Sequence, residues 1–345
     1  MPVDLNRSLE FSRQLVEWVR GKGRILIFCH DNPDPDSLAT AYALQHLFLV
    51  KAGQEATIAF GGIIGRGENR NMVRLLEINA VKVQDLDLDE FSVFCAVDTQ
   101  PGTGNNSIPA ECRLDVVIDH HPLREASGQV RLVDVREDYG AAATLLFEYL
   151  KAQNVTICTK LATILFYAIK SETQDLGREW SKADREAYLN LIPLVNNHIL
   201  YEITHPQAPR GYFSSFNKAI ESARIYGDVL VFNLYDIEVP DMVAEMADFL
   251  LRVDDVEIVM GMGRYNDMGV LSLRTLREDL NAGDLIQQVV QGIGTAGGHG
   301  MIAGGQIRPF PESRGQQHAL EITLKERLLE ALGLEKSTGL SLLTS

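Results

Sequence analysis

The sequence predicts an α/β protein, with a mostly parallel sheet covered by helices on both faces and a second, smaller α/β domain after it. The first half of the chain alternates short apolar, β-branched runs with helix-length segments, which is the pattern of parallel strands joined by crossover helices. The same alternation begins again at about residue 227. The 345 residues also exceed what one hydrophobic core usually serves, so two domains are expected.

The first domain is expected over residues 1–205. Its predicted strands are residues 24–29, 56–60, 92–97, 114–118 and 130–135, and its predicted helices are residues 38–50, 69–77, 141–152 and 160–169. From about residue 181 to residue 224 the chain has helical character, with breaks near its prolines. Residues 206–226, at the end of this stretch, are interpreted as a connecting helix between the two domains.

The second domain is expected over residues 227–345. Its predicted strands are residues 227–234, 257–262 and 269–273, and its predicted helices are residues 239–251 and 279–291. The glycine-rich segment at 292–305 admits two interpretations. Its glycines allow a close approach of backbone N–H groups to a phosphate, or they form a flexible turn.

The charge balance argues against a protein that grips long nucleic acid. Lys and Arg total 32 against 47 Asp and Glu, a formal net charge of −15, so the overall field repels polyanions. No apolar stretch approaches a membrane span, and the N-terminal residues lack the basic start and apolar run of a signal peptide. The four widely spaced cysteines fit a reducing compartment. We therefore expect a cytoplasmic protein with a small substrate, and with neither a membrane nor a long duplex as its partner. The oligomeric state stays open, a homodimer included.

An imidazole and three carboxylates follow the first predicted strand within seven residues. The segment HDNPDPD contains His30, Asp31, Asp34 and Asp36. Several carboxylates are costly to bury together without counter-charge, and bound cations resolve that conflict. This N/O ligand set suits Mn²⁺ or Mg²⁺. The alternative is a helix N-cap in which Asp34 or Asp36 caps the helix and the other carboxylates are solvated.

Two further strands end in acidic or imidazole side chains. The apolar run at 93–97 leads into Asp98, and the run at 116–118 leads into Asp119, His120 and His121. A single Asp after a strand is usually a turn residue or a cap. Because the carboxyl ends of parallel strands meet at one edge of a sheet, three such strand ends predict one metal site there.

Four motifs in order resemble those of the DHH phosphoesterase superfamily. HDNPDPDS, VDTQ and DHH look like its first three motifs, and GGHGMIAGG resembles the GGHxxAaG signature of the DHHA1 domain found in one of its two subfamilies. The resemblance spans about residues 24 to 310. It implies a catalytic, metal-binding DHH domain with two divalent cations, Mn²⁺ first and Mg²⁺ or Co²⁺ as alternatives, followed by a substrate-binding DHHA1 domain.

The resemblance also implies a metal ligand at each matching position of the first three motifs. His30 and Asp34 look like ligands of one metal, and Asp36 and His120 look like ligands of the other. Asp98 resembles the carboxylate that bridges the two ions.

The DHH triplet and the fourth motif supply the remaining candidates of the first domain. His121 is similar to the histidine that faces the substrate phosphate, although a satisfied histidine beside the site is the alternative. Asp119 is interpreted as a partner that orients an imidazole, so Asp98, Asp119 and His121 are the expected catalytic residues. The family's fourth motif normally reads Thr-Asp-Thr, but the matching segment here is YAIKSETQD. By register, Glu172 replaces the metal-binding Asp, and Asp175 is the alternative fourth carboxylate.

In the second domain the resemblance implies a substrate-binding group. It comprises an Arg-Thr pair and part of the glycine-rich segment: Arg274, Thr275, Gly297, Gly298 and His299. Arginine suits this role because it is permanently charged and can bind a phosphate with two N–H groups.

The function implied by the resemblance is metal-dependent hydrolysis of phosphate esters in short oligoribonucleotides or small nucleotides, as in nanoRNases and nucleoside bisphosphate phosphatases. A soluble cyclic-dinucleotide phosphodiesterase is one alternative. A nucleotide-binding regulatory protein with little turnover is another, motivated by the Glu in the fourth motif. The GGHGMIAGG segment argues against the superfamily's inorganic pyrophosphatases, whose second domain differs.

Overall fold

The structure is a computed structural model that describes residues 5–334 and 339–343, without the side chain of His299. It divides into two compact units, Met1–Pro206 and Gln207–Ser345. The predicted α/β class, with a parallel sheet and a second α/β domain, is confirmed. The helix predicted to connect the domains runs over Arg210–Ser222 and lies within the second unit.

The first unit contains six strands: β1 (Ile25–Phe28), β2 (Ala56–Phe60), β3 (Ala80–Lys82), β4 (Val93–Val97), β5 (Val116–Asp119) and β6 (Leu132–Val135). They form one sheet in the order β3-β2-β1-β4-β5-β6, and every neighbouring pair is parallel. The order reverses between β1 and β4. Such a reversal leaves a crevice beyond the carboxyl ends of the strands, where ligands bind in sheets of this kind.

In the described part of this unit, seven α-helices accompany the sheet: α1 (Leu5–Val19), α2 (Pro35–Leu47), α3 (Gly67–Leu75), α4 (Ala142–Ala152), α5 (Thr159–Glu172), α6 (Lys182–Leu191) and α7 (Asn197–Thr204). Helix α2 has buried residues on all its sides because α4 and α5 pack against it. It continues into one π-helical turn over Phe48–Ala52. Helix α1 and strand β3 were not predicted.

The two faces of the sheet are covered differently. Ile25 and Ile27 of β1 point into a core that includes residues of all seven helices. Leu26 and Phe28 point to the opposite face, into a smaller core with residues such as Phe91 that flank short 3₁₀ turns. Because both faces are buried, β1 is apolar at every position and shows no alternation with polar residues.

The second unit follows with α8 (Arg210–Ser222), β7 (Arg224–Tyr226), β8 (Val229–Asp236), α9 (Met242–Leu250), β9 (Ile258–Tyr265), β10 (Met268–Thr275), α10 (Ala282–Val290), β11 (Thr295–His299), β12 (Ile302–Ile307), α11 (Arg314–Ala331) and β13 (Leu340–Ser341). Its seven strands are ordered β11-β12-β10-β9-β8-β7-β13. Strands β8 and β9 run parallel, and the other described neighbours are antiparallel.

The glycine-rich segment forms a β-hairpin, so the interpretation as a flexible turn is wrong. Gly297 pairs with Gly304, and Gly298 pairs with Ala303. Gly298 has a φ of 155°, and a Cβ there would lie 2.5 Å from the Cα of Ala303, so the close approach of the two strands requires glycine. Glycine is depleted in strands, which hid β11 and β12 in the sequence.

One close contact in the second sheet leads to a stability prediction. A Cβ on Gly261 of β9 would lie 2.2 Å from the Cζ atom of Phe232, whose ring is buried. We expect Gly261→Ala to destabilise the second unit by about 1–3 kcal/mol, because the ring has to move within a packed core. Faster hydrogen exchange in β8 and β9, measured by mass spectrometry, would report this loss.

The matched control is Gly304→Ala in the same sheet. The nearest atom to a Cβ there is the Leu271 carbonyl oxygen at 3.7 Å, an ordinary contact. Equal exchange in the two variants would contradict the prediction.

Candidate metal centre

The side chains predicted to bind metal converge at the reversal point of the first sheet. His30 follows β1, Asp34 and Asp36 lie at the start of α2, and Asp98 follows β4. His120 follows β5, the next strand in the sheet. Parallel strands bring these side chains together because their carboxyl ends lie at one edge.

One group of possible ligands comprises His30, Asp34 and Asp98. One donor atom from each lies within 4.8 Å of the others. The Nε2 atom of His30 is 3.5 Å from Oδ2 of Asp34 and 3.5 Å from Oδ2 of Asp98. These separations leave room for a cation among the three atoms.

A second group shares Asp98 with the first. Asp98, His120 and His121 also have donor atoms within 4.8 Å of one another. The Nε2 atom of His120 is 3.4 Å from Oδ1 of Asp98 and 3.7 Å from Oδ2 of Asp36. Asp98 therefore turns one carboxylate oxygen toward each group, which is the arrangement of a carboxylate that bridges two cations.

Backbone carbonyls orient two of the imidazoles. Nδ1 of His30 lies 2.9 Å from the carbonyl oxygen of Asp31, and Nδ1 of His120 lies 3.1 Å from that of Tyr139. A carbonyl can only accept, so each Nδ1 carries the hydrogen. In the neutral ring, Nε2 then presents its lone pair toward the carboxylates, as a metal ligand must.

The third imidazole is oriented by a carboxylate. Nδ1 of His121 lies 2.8 Å from Oδ1 of Asp119, and the backbone N–H of His120 donates to the same oxygen. Nδ1 of His121 is thus engaged with Asp119 and is not offered to a cation. Burial by itself raises the pKa of Asp119, but the hydrogen bond and charge of His121 lower that pKa to about 2. Asp119 is therefore an anion at neutral pH.

Asp34 and Asp36 combine capping with a place in the site. Oδ1 of Asp34 accepts from the backbone N–H of Ser37 at 2.9 Å and caps α2, while its Oδ2 faces His30. The two oxygens of Asp36 accept from the backbone N–H groups of Ala142 and Ala143 at 2.7 and 2.8 Å. Helix α4 thus directs its N-terminus at Asp36, where the helix dipole favours negative charge. Capping and metal binding, weighed as alternatives for these residues, are compatible here.

The surroundings of Asp98 indicate whether cations fit these residues. It is 2% exposed, and its Oδ1 has no hydrogen-bond donor within the described part of the chain. Its φ of 55° is also costly for a residue with a side chain. A buried carboxylate oxygen without a donor is unfavourable unless a cation compensates it. The donor set of imidazole nitrogens and carboxylate oxygens fits Mn²⁺.

The pKa values show that the centre lacks positive charge. Burial raises the pKa of Asp36 well above its usual value, and the neighbouring charge of Asp98 raises it further. Burial alone would lower the pKa of His30 and His120, yet Asp34 beside His30 and Asp98 beside His120 raise both well above the ordinary value. In the absence of metal, the cluster therefore takes up protons to balance its carboxylates.

The two candidates for the fourth carboxylate lie in different surroundings. Glu172 ends α5. Burial raises the pKa of Glu172, and the charge of Asp34 raises it further, so its carboxyl group lies within reach of the centre's field. Asp175 is exposed, pairs with Nζ of Lys170 and accepts from the hydroxyl of Tyr188 at 3.0 Å. Of the two, Glu172 is the one whose environment includes the metal-site residues.

The predicted substrate residues of the second unit lie at the end of β10 and in β11. Arg274 is 5% exposed, and its Nε donates to Asp248 at 2.5 Å. Thr275 is buried and accepts from the backbone N–H of Arg277. Gly297 and Gly298 lie in β11. The side chain of His299 is outside the described residues. Arg274 is thus already paired with a carboxylate, which would compete with a substrate phosphate for the guanidinium group. The sequence did not reveal this pairing.

Several groups that hold the candidate ligands in place could not be predicted from the sequence. They are main-chain groups: the carbonyls of Asp31 and Tyr139, which orient imidazoles, and the amides of Ala142 and Ala143, which hold Asp36. Residue type does not reveal such roles, because any residue provides the same carbonyl or amide. Only the chain path places them.

The proton uptake of the cluster predicts how stability depends on pH. The pKa values of His30 and His120 are raised on folding, so their stabilising contribution is complete below the unfolded pKa of about 6.5 and is lost as pH rises through the folded values. We expect the unfolding free energy of the metal-free protein to fall as pH rises above about 6.5. Urea unfolding in a chelator across this range would measure the slope.

The same urea unfolding series in saturating Mn²⁺ provides the comparison for the slope of unfolding free energy against pH. Cations replace the protons, so the decline with pH should flatten or reverse, because metal binding releases protons. A metal-free protein that becomes more stable as pH rises above 6.5 would contradict the expected sign.

The comparisons with known proteins agree with this geometry. Residues 24–169 match the N-terminal domain of the DHH family, and residues 227–322 match the DHHA1 domain. Within residues 5–334 and 339–343, no helix is both long and apolar enough to cross a membrane.

Three known proteins illustrate what the chain is similar to. The uncharacterized protein MJ1633 of Methanocaldococcus jannaschii is 31% identical over 322 residues, which cover 91% of this chain and 65% of that protein. A probable manganese-dependent inorganic pyrophosphatase of Enterococcus faecalis is 27% identical over 150 residues, which cover 44% of this chain and 48% of that protein. The chain thus spans about two thirds of the length of the first relative and about half of the length of the second.

The crystal structure of an exopolyphosphatase-related protein from Bacteroides fragilis superposes with a TM-score of 0.73 at 14% identity, over 96% of this chain and 99% of that one, and shows the fold alone. The chain combines a DHH-family N-terminal domain at residues 24–169 with a DHHA1 domain at residues 227–322.

Proposed function

We propose that this protein is a two-metal phosphoesterase that hydrolyses phosphate esters of short oligoribonucleotides or small nucleotides. The position of Asp98 is the main support, because each of its oxygens faces a different imidazole-containing ligand group. His30 and Asp34 would hold one cation, and Asp36 and His120 the other, with Asp98 between them. Glu172 is the proposed fourth carboxylate.

Two divalent cations, when bound, supply Lewis acidity to the phosphoryl group and lower the pKa of water. The chain's own groups hold the ions and meet the substrate. The carbonyls of Asp31 and Tyr139 keep two imidazoles in the tautomer that binds metal. The ring of His121 is one third exposed, and its Nδ1–H is donated to Asp119. With Nε2 protonated as well, this imidazolium is proposed to donate a hydrogen bond to a phosphoryl oxygen.

A small substrate is supported by charge and by the second domain. The net charge of −15 disfavours long polyanions. We propose that Arg274, Thr275, Gly297, Gly298 and His299 of the DHHA1 domain bind the substrate phosphate and nucleotide. Because Asp248 already pairs with Arg274, a phosphate would have to share or replace that carboxylate. We place the reaction in the reducing cytoplasm, to which four free cysteines are suited.

A substrate panel tests the proposal. The protein is incubated with Mn²⁺ and a two-residue RNA, a cyclic dinucleotide, a nucleoside 3′,5′-bisphosphate or inorganic pyrophosphate, and the nucleotide and orthophosphate products are resolved by chromatography. Hydrolysis of the RNA or the bisphosphate that is lost with Asp98→Asn supports the proposal. Preference for the cyclic dinucleotide would indicate a cyclic-dinucleotide phosphodiesterase instead. Preference for pyrophosphate would contradict phosphate ester hydrolysis.

A second candidate is a nucleotide-binding regulatory protein with little turnover. The Glu at position 172, where the family's motif has Asp, favours it, because the longer side chain alters the fourth ligand. Calorimetric binding of a nucleotide without turnover of any panel member would support this candidate.

A further inference from the structure

Gln100 is a fully buried amide two residues after Asp98. Its side chain is 0% exposed. Nε2 donates to Oδ2 of Asp119 at 2.7 Å and to the carbonyl of Pro122 at 3.1 Å, with a longer contact to the carbonyl of His121 at 3.4 Å. Oε1 accepts from the backbone N–H of Arg124 at 2.8 Å and from Oγ of Ser127 at 2.9 Å. Both donors and both lone pairs of the amide are used, and each faces a partner of opposite kind.

These bonds reach His121 through Asp119. With Oδ2 of Asp119 held by Gln100, the other oxygen, Oδ1, is directed at Nδ1 of His121 at 2.8 Å. A carboxylate fixed at only one oxygen can rotate about its terminal torsion, which has broad minima. Holding both oxygens removes that freedom and sets the direction of the His121 ring.

Gln100 also fixes the chain that leaves the histidine pair. Residues 122–126 are exposed, and Gln100 bonds to this stretch at Pro122 and Arg124. The backbone of Gln100 is itself held, because its carbonyl accepts from Nδ2 of Asn106 at 3.0 Å and from Oγ1 of Thr103 at 2.8 Å. The amide thus links the chain after β4, which presents Asp98, to the chain after β5, which presents His121.

We propose that Gln100 is a positioning residue that fixes the orientation of His121 through Asp119. This inference rests on the proposed phosphoesterase function, because it assigns to His121 a contact with the substrate phosphate. The side chain of Gln100 contacts His121 only at its backbone carbonyl and is not a candidate metal ligand or substrate contact. Its effect is expected on turnover, since an imidazole that is held in place stabilises developing charge without reorganising.

Two variants separate the donor side of the amide, which holds Asp119, from its acceptor side, which holds Arg124 and Ser127. Gln100→Met keeps the size and removes all of these side-chain bonds. Gln100→Glu, with its carboxyl group ionised, keeps the acceptor for Arg124 and Ser127 but removes the donor to Asp119, Pro122 and His121. We expect both to lower kcat about 10- to 100-fold, the usual effect of losing a partner that orients a site residue, with KM and the number of bound Mn²⁺ ions unchanged. Unchanged kcat in Gln100→Glu would overturn the proposal, even if Gln100→Met failed to fold.

The matched control is Gln153, which ends α4 and donates from Nε2 to Oγ of Ser12 at 2.9 Å. Gln153→Met and Gln153→Glu lose a comparable amide bond away from the centre. They should retain the wild-type kcat. A similar loss of kcat in the Gln153 variants would show that any such bond matters through stability alone, and would contradict a positioning role.

A double-mutant cycle with His121→Ala gives a readout that a structural role would not move. If Gln100 acts through His121, Gln100→Glu should lower kcat at least about tenfold in the wild-type background and less than about twofold in the His121→Ala background. The second effect is small because the contribution of Gln100 to kcat is already absent when His121 is removed. Equal factors in the two backgrounds would overturn the proposal.

A crystal structure of Gln100→Glu, with and without Mn²⁺, tests the same point without any activity. We expect the Asp119 carboxylate to rotate and the His121 ring to leave the orientation with Nδ1 on Oδ1. An unchanged pair would overturn the proposal. If the wild-type protein hydrolyses no member of the panel, the proposed function fails, but this structural comparison still decides the role of Gln100.

Discussion

Asp98→Asn is expected to reduce hydrolysis on the order of 10³-fold or more, because both ligand groups share this one carboxylate. Asparagine has the same shape and tolerates the left-handed φ of 55°, so the backbone after β4 should keep its path. Loss of the anion should also weaken Mn²⁺ binding. Steady-state kinetics and metal content by mass spectrometry would measure both effects.

The stability of Asp98→Asn distinguishes a metal defect from a folding defect. Without metal, the charge of Asp98 raises the pKa of Asp36 but also that of His120, so removing that charge has two opposing effects and should change the stability of the metal-free protein little. The exposed carboxylate of Asp85 provides a control, and Asp85→Asn should change neither activity nor metal content. Asp98→Asn with full Mn²⁺ loading and normal kcat would contradict the bridging role.

Glu172→Gln should lower kcat and Mn²⁺ affinity by about 10- to 100-fold, whereas Asp175→Asn should change either by less than about threefold. The larger effect follows from position, because the pKa of Glu172 responds to Asp34 and to the histidines of the centre. A cation there gains from an ionised ligand and much less from an amide. Manganese titrations followed by initial rates would measure both quantities in one experiment.

Asp175→Asn is a matched control because the residue is three positions away and already has partners. It pairs with Lys170 at a partly exposed position, and such pairs contribute about 0–1 kcal/mol. If Asp175→Asn were the damaging variant, the chain after α5 would have to rearrange on metal binding, and the fourth carboxylate would be assigned to Asp175.

The strength of the local patterns explains how much of the first unit was predictable. The five predicted strands match β1, β2, β4, β5 and β6, because buried parallel strands are continuous apolar runs. The convergence of the candidate ligands was also predictable, since polar residues directly after such strands must meet at one edge. Strand β3 and helix α1 were missed because three partly exposed residues and an amphipathic surface helix give weaker patterns.

The second unit was less predictable at its edge. The hairpin of β11 and β12 consists largely of glycine and alanine, which disfavour strands in isolation. Pairing with β10 imposes the extended conformation, and the close approach at Gly298 then requires the glycine. The engagement of Arg274 by Asp248 likewise depends on how α9 packs on β10.

The sequence by itself determined the α/β class, the family motifs and the identity of the acidic and imidazole groups, because those depend on residue type and local order. Only the tertiary structure decided which oxygen of Asp98 faces which histidine, and that Asp34 and Asp36 serve as caps while facing the site. It also decided that Gln100 holds Asp119. These are relations of distance and direction between segments far apart in the chain, and the packing of strands and helices sets them.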